Sequence, residues 1–204
     1  MKTSTRLPYR QIRARFDRDT VLVYQAYGAA IAKPALAKGR FVAPFSWRRM
    51  TWIKPSFLWL MGRSNWATKS GQENILGIRI TRTGFERALS LGCLTMFDPD
   101  IHTREADWRH GFENASVHVQ WDPERSLRGR KLPHRSLQLG LGSQIIEQFT
   151  EEWIVSIEDL TPLAKRIRSA CLAGNERRAK SWLPPEKEYV ASVETRRRLG
   201  ISGG

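Results

Sequence analysis

Residues 41–67, FVAPFSWRRMTWIKPSFLWLMGRSNWA, constrain this chain more than any other stretch. Four of its eight tryptophans fall here (Trp47, Trp52, Trp59 and Trp66), interleaved with Arg48, Arg49, Lys54 and Arg63 and with no acidic residue. Trp52, Trp59 and Trp66 recur every seven residues, which on one continuous helix places them on a shared face with a drift of about 20° per heptad. Pro55 moves the helix start to its own position, because proline suits a first turn and breaks an interior. Two readings stand side by side. Phe57, Leu58, Trp59, Leu60 and Met61 form a buried helix with arginines at its rim. Alternatively, the rings stack on a flat anionic ligand while guanidinium groups fork onto its phosphates. Arg49, Lys54 and Arg63 favour a ligand for part of the stretch, since the segment offers them no acidic partner.

The flanking sequence supplies alternating elements. TVLVYQAY (20–27) reads as a buried strand with Tyr24 and Gln25 on opposite faces. A polar Gln25 in that strand needs a partner or a ligand. GAAIAKPALAKGRF predicts a short helix interrupted at Pro34 and stopped near Gly39. NILGIRITR (74–82) alternates, and TGFERALSLG predicts a helix started by Thr83 and stopped by Gly92. Residues 96–114 read as a polar loop with a helical turn around Glu105 to Arg109. SVHVQWDP is a second alternating strand, with Val117, Val119 and Trp121 inward and His118 and Gln120 outward. Residues 124–135 read as an exposed basic loop, SLQLGLGSQIIEQF as strand, glycine turn and helix, and 153–161 as the last strand. A closing helical pair follows. The pattern predicts one α+β domain with a mixed, mostly antiparallel central sheet flanked by helices. Its expected boundaries are a basic arm at 1–11, the domain at 12–190 and a flexible basic tail at 191–204.

A net charge of +14 raises the local concentration of polyanions, of which nucleic acid is the commonest. Cys93 and Cys171 are too few for a disulfide scaffold or a zinc cluster, and they read as free thiols in a reducing cytosol. His102, His110, His118 and His134 show no metal spacing. No apolar run approaches the roughly 18 residues that span a bilayer, and the N-terminus lacks an apolar signal region, so a cytoplasmic protein is expected. GLGS (140–143) is either a plain turn or a weak phosphate cradle. Glu73, Asp122 and Glu124 lie nearest to predicted strand ends, each either a site carboxylate or an ion-pair partner. A nuclease or phosphotransferase built on Asp122 and Glu124 would need magnesium.

The succession IRARFDRDTVLVYQAY, PFSWRRMTWIKPSFLWLMGRSNWA, VQWDPER, LPHRSLQLGL and WIVSIEDLT resembles the family catalogued as domain of unknown function 4291, from about Ile12 to Tyr189. Asn65 stands where glycine is expected and His134 where an aromatic is expected. The resemblance implies a relation to ADP-ribosyltransferases that modify nucleic-acid bases, with NAD as donor and cytidine in single-stranded DNA as the expected acceptor. It assigns Gln138 or Glu124 to the ribose hydroxyl or the incoming amine, with Arg49 as a third catalytic residue. Arg13, Tyr24, Gln25, Ser46, Lys54, Arg63 and Trp66 would hold the dinucleotide. Arg125, Arg128, Arg130, Lys131 and Arg135, with the N-terminal arm, would track the nucleic-acid backbone. The rival expectation is a non-catalytic single-strand-binding module that uses the same rings and arginines.

Overall fold

The computed structural model describes residues 7–202. Strands β1 (Arg13–Phe16), β2 (Thr20–Tyr27), β4 (Asn74–Thr81), β8 (Ile154–Asp159) and β9 (Lys187–Glu188) form a five-stranded antiparallel sheet in the order β8-β4-β2-β1-β9. Strands β3 (Thr51–Ile53), β5 (Gly92–Leu94), β6 (Val117–Arg125) and β7 (Lys131–Leu141) form a second sheet, β3-β7-β6-β5, parallel only between β5 and β6. Around them lie α1 (Ala29–Lys38), α2 (Phe57–Ser64), α3 (Arg82–Leu91), α4 (Glu105–Glu113), α5 (Ser143–Gln148), α6 (Thr161–Leu172), α7 (Glu176–Ser181) and α8 (Val193–Leu199). The α+β class and the antiparallel majority hold, with the strands divided between two sheets.

β2 is buried on both faces. Val21 and Val23 enter a core shared with Ile78 and Ile80 of β4, Val117 and Val119 of β6, and Leu137, Leu139 and Leu141 of β7. Leu22 and Tyr24 enter a second core with Phe57, Leu60 and Met61 of α2 and Ala164 and Ile167 of α6. Double burial explains why TVLVY is a continuous apolar run. β6 and β7 give one face to the first core, so their alternate residues Gln120, Asp122 and Gln138 stand on the opposite face, where Gln138 is still buried. Register sets Gln120 opposite Gln138 and Asp122 opposite Ser136. The two sheets are joined just past β3, where the backbones of Tyr24 and Lys54 exchange hydrogen bonds of 2.7 and 3.3 Å.

Several local expectations change. Trp52 lies in β3 and only Trp59 lies in α2, so the heptad tryptophans do not share a helix. α2 begins beyond Pro55, capped by Ser56, whose Oγ accepts from the Trp59 N–H at 3.2 Å. It ends at Asn65 with φ 48°, the left-handed conformation that asparagine tolerates best after glycine. Pro34 sits inside α1 without breaking it, since the Ala30 carbonyl it leaves unpaired is on an exposed residue. α3 starts at Arg82, with Thr81 accepting from Gly84 N–H, so the cap is two residues before Thr83. Residues 124–135 are a β-hairpin rather than a loop: β6 runs to Arg125 and β7 starts at Lys131, with Gly129 at φ 78° in the turn. The helical turn near Glu105 extends to Glu113, and β9 follows the strand expected to be last.

The expected flexible tail at 191–204 carries α8. Leu199 is buried in the first core, and Arg198 donates to the carbonyls of Gly92 and Leu89. Ser202 N–H donates to the Arg10 carbonyl at 2.7 Å. Of the expected arm, residues 1–6 lie outside the described residues; Arg10 is tied to Asp98 by an ion pair of 2.7 Å. No helix among the described residues is long and apolar enough to cross a membrane.

Candidate functional site

The polar face of the four-stranded sheet and the helix α2 enclose a cleft of about 500 Å³. Trp52 forms one wall. It faces Gly140 across β3 and β7, where an added Cβ would stand 2.9 Å from the indole and 2.7 Å from the Met50 sulfur. Glycine at 140 is therefore what lets this ring lie so close to β7. The Trp52 carbonyl accepts from Gln25 Nε2 at 3.0 Å and from Lys54 Nζ at 2.9 Å. Gln25 also donates to Thr51 Oγ1 at 2.7 Å, so it is a strut that fixes β3 against β2.

Trp59 and Arg63 of α2 form the opposite wall. The base is a carboxylate held between two amides: Asp122 Oδ2 accepts from Gln138 Nε2 at 2.6 Å, and Oδ1 accepts from Gln120 Nε2 at 2.9 Å. Both oxygens are thereby fixed in orientation without a neutralising cation. Gln72 also lines the cleft, and its buried Oε1 has no hydrogen-bond partner. A buried acceptor without a donor costs free energy, which a ligand donor would recover.

Lys54 is the most perturbed group here. It is 9% exposed, its ammonium lies 5.7 Å from the centre of the Trp59 ring, and it forms no ion pair within 4.0 Å among the described residues. Burial lowers its pKa to about 7, Arg63 pushes the same way, and Asp122 opposes them. An anion entering the cleft would supply the missing countercharge. Past Arg63 the cleft opens into a groove of about 230 Å³ that shares Trp59, Arg63 and Asp122 and adds Arg125 and Lys131.

Of the residues singled out in the sequence, Trp52, Lys54, Trp59, Arg63, Asp122 and Gln138 meet in the cleft, and Arg125 and Lys131 line the adjoining groove. The others have different surroundings. Phe45 is buried and Trp47 donates to Thr150 Oγ1 at 3.1 Å, which leaves Ser46 and Arg49 exposed outside the cleft. Arg13 is tied to the Glu186 carbonyl at 2.7 Å and to Gln11 at 3.3 Å. Tyr24 is sealed in the second core against Phe57, where it has no face to offer a nicotinamide. Trp66, left-handed at φ 57°, packs edge-on against Phe57. Glu124 is buried, accepts from the Arg125 N–H at 2.7 Å and does not line the cleft. Arg128 pairs with Glu176, Arg130 is exposed, and Arg135 stacks on Tyr9.

Register decides the setting of one carboxylate that the sequence offered, and a second group had no sequence signal. Asp122 becomes the cleft carboxylate only because strand register sets Gln138 opposite Gln120 and brings both amides to it. Glu186, in a loop after two prolines, is partly buried as a residue but has an enclosed carboxyl that accepts from the Phe57 N–H at 2.7 Å. Burial raises its pKa to about 8, with neighbouring Glu124 adding to the rise. It caps the helix that carries Trp59 and Arg63.

A family model described as Domain of unknown function (DUF4291) matches residues 11–189. The chain belongs to that family. No curated protein matches the sequence. The matched span of this family member includes every cleft residue and ends at Tyr189, before α8.

Proposed function

We propose that the cleft binds NAD as a donor substrate and transfers ADP-ribose to a base of single-stranded nucleic acid, with cytidine in DNA as the first acceptor to test. The observation that carries this reading is the composition of one cleft: an amide-clamped carboxylate, two cations without acidic partners and two indoles. The donor's chemistry demands that set. A nicotinamide leaves with the electron pair of its bond to ribose, the acceptor amine forms the new bond to that ribose carbon, and the amine proton goes to a base.

Asp122 supplies fixed negative charge beside developing positive charge, and it accepts the proton. The roles expected of Gln138 or Glu124 pass to it, with Gln138 and Gln120 as the residues that aim it. Lys54 and Arg63 neutralise the pyrophosphate, and a phosphate near Lys54 favours its ammonium form. Trp52 and Trp59 offer flat apolar surfaces that limit water around the sugar. The orphan Gln72 oxygen suits the carboxamide N–H₂ of nicotinamide. Arg125 and Lys131, in the groove beside Asp122, suit the phosphates that flank an acceptor base.

Thermal unfolding with NAD tests the donor assignment. A ligand confined to the folded state stabilises it by RT ln(1 + [L]/Kd), about 2.7 kcal/mol at a hundredfold excess over Kd. A melting temperature that rises with NAD concentration, and rises less in Lys54→Met, supports the donor site. An unchanged melting temperature at millimolar NAD would assign the rings and cations to strand binding alone.

A further inference from the structure

The cations outside the cleft are not evenly spread. Residues 161–185, which hold α6 and α7, contain six cations and one acid, Glu176. That acid is already engaged, by Arg128 from the β6–β7 hairpin and by Lys180 at 3.9 Å. Arg166 and Arg178 are exposed and form no ion pair among the described residues; their guanidinium carbons lie 4.4 and 5.0 Å from the centre of the Trp182 ring. Arg166 comes from α6, Arg178 from α7 and Trp182 from the end of α7. One indole therefore gathers two guanidinium groups from two helices. Like charges are brought together here, and an anion bound between them would relieve their mutual repulsion.

This face is continuous with the cleft. Lys131 and Arg125 line the groove beside Asp122, Arg128 follows in the turn of the same hairpin, and its pairing with Glu176 docks that turn on α7. We infer that the α6–α7 face, centred on Arg166, Trp182 and Arg178, is a second anchoring site for the nucleic-acid strand whose base enters the cleft. The inference rests on the nucleic-acid reading of that cleft and extends its footprint. Cations stacked on an aromatic ring keep their N–H edges outward and are held in place before binding, so they contact phosphates at small entropic cost. The base to be modified must be unstacked and unpaired, which makes the ligand a single strand of DNA or RNA.

The test compares oligonucleotides of about 5 and about 25 nucleotides, as DNA and as RNA, by fluorescence anisotropy over a salt series. The parent protein should bind the longer strand more tightly and with the steeper salt slope. Replacing both arginines in Arg166→Gln/Arg178→Gln should weaken the longer strand about tenfold at low salt, while the short strand is unaffected. The salt slope should fall by about 1.4, the value for two lost contacts to a single strand. The charge-preserving Arg166→Lys/Arg178→Lys variant should recover most of the slope but less of the affinity. A parent that binds the long strand and a double Gln variant that binds it equally would overturn this anchoring site and leave the cleft reading intact. A parent that binds neither length would overturn the nucleic-acid reading itself. The relative affinities for DNA and RNA identify the strand in use.

Discussion

Two clefts flank the β6–β7 hairpin, and both contain arginine and an aspartate. In the one under Tyr9, Arg10 pairs with Asp98 at 2.7 Å and Arg135 donates to the Tyr9 hydroxyl at 2.9 Å. Its charges are committed to the protein, and the ion pair ties the N-terminal segment to residue 98. In the other, Asp122 is held by neutral amides while Lys54 and Arg63 have no acidic partner within 4.0 Å among the described residues. A high net charge does not distinguish the two. Whether the carboxylate is already paired does. Asp98 has the Arg10 guanidinium, whereas Asp122 has only amides beside a buried Lys54 that lacks an ion pair among the described residues, and such unpaired charge marks a place arranged for something else.

The largest effect should follow from Asp122→Asn. It keeps the shape, removes the charge and proton acceptor, and should lower the rate of transfer about 10²–10⁴-fold with the fold retained. Circular dichroism and single-turnover rates would check it; a rate within about threefold of the parent would make the cleft under Tyr9 the better candidate. Lys54→Met should reduce kcat/KM by about 10–100-fold through lost phosphate binding. The same variant should gain stability, with a definite pH dependence. Lys54 is lowered to about 7 in the folded protein from its ordinary 10.5. The unfolded chain therefore binds the proton more strongly, and the cost to the parent is greatest below pH 7 and vanishes as pH approaches about 10.5. Denaturant titrations of both proteins across that window should show the difference shrinking as pH rises; a constant difference would mean that the ammonium is not desolvated.

Trp59→Ala should raise KM for the donor about tenfold, the order expected from one lost stacking surface, with a smaller change in kcat. Glu186→Gln should act on stability alone. Its carboxyl is raised to about 8 from an ordinary 4.5, so it favours the folded state below pH 4.5 and that contribution is lost as pH rises through 8. The variant should lack that decline, as read from unfolding midpoints between those limits. Smallest of all is Arg10→Gln in the paired cleft. It should cost stability on the scale of one partly exposed ion pair, about 1 kcal/mol or less, and leave transfer unchanged. Loss of transfer there would break the contrast between the clefts.

Much of the frame was legible in the chain. The apolar run at β2, the alternation in β4 and β6 and the glycine after α1 reflect local rules that the structure obeys. The stretch 41–67 does contain site residues, yet its heptad spacing misled, because Trp52, Trp59 and Trp66 belong to a strand, a helix and a left-handed turn. Arg49 and Lys54 look equivalent in sequence; only packing distinguishes the exposed one from the buried one. The Asp122 clamp depends on register between β6 and β7, which no local pattern in either strand specifies. Trp182 lies more than a hundred residues beyond the aromatic stretch, and its arginines meet only when α6 and α7 fold back on each other.

The most direct measurement is intact-mass analysis of short single-stranded DNA and RNA oligonucleotides of each base after incubation with the protein and NAD. The expected result is the mass of one ADP-ribose added to one oligonucleotide, present with the parent and absent with Asp122→Asn. Oligonucleotides that bind but gain no mass with the parent would contradict transfer and leave a strand-binding protein whose cleft holds bases without modifying them.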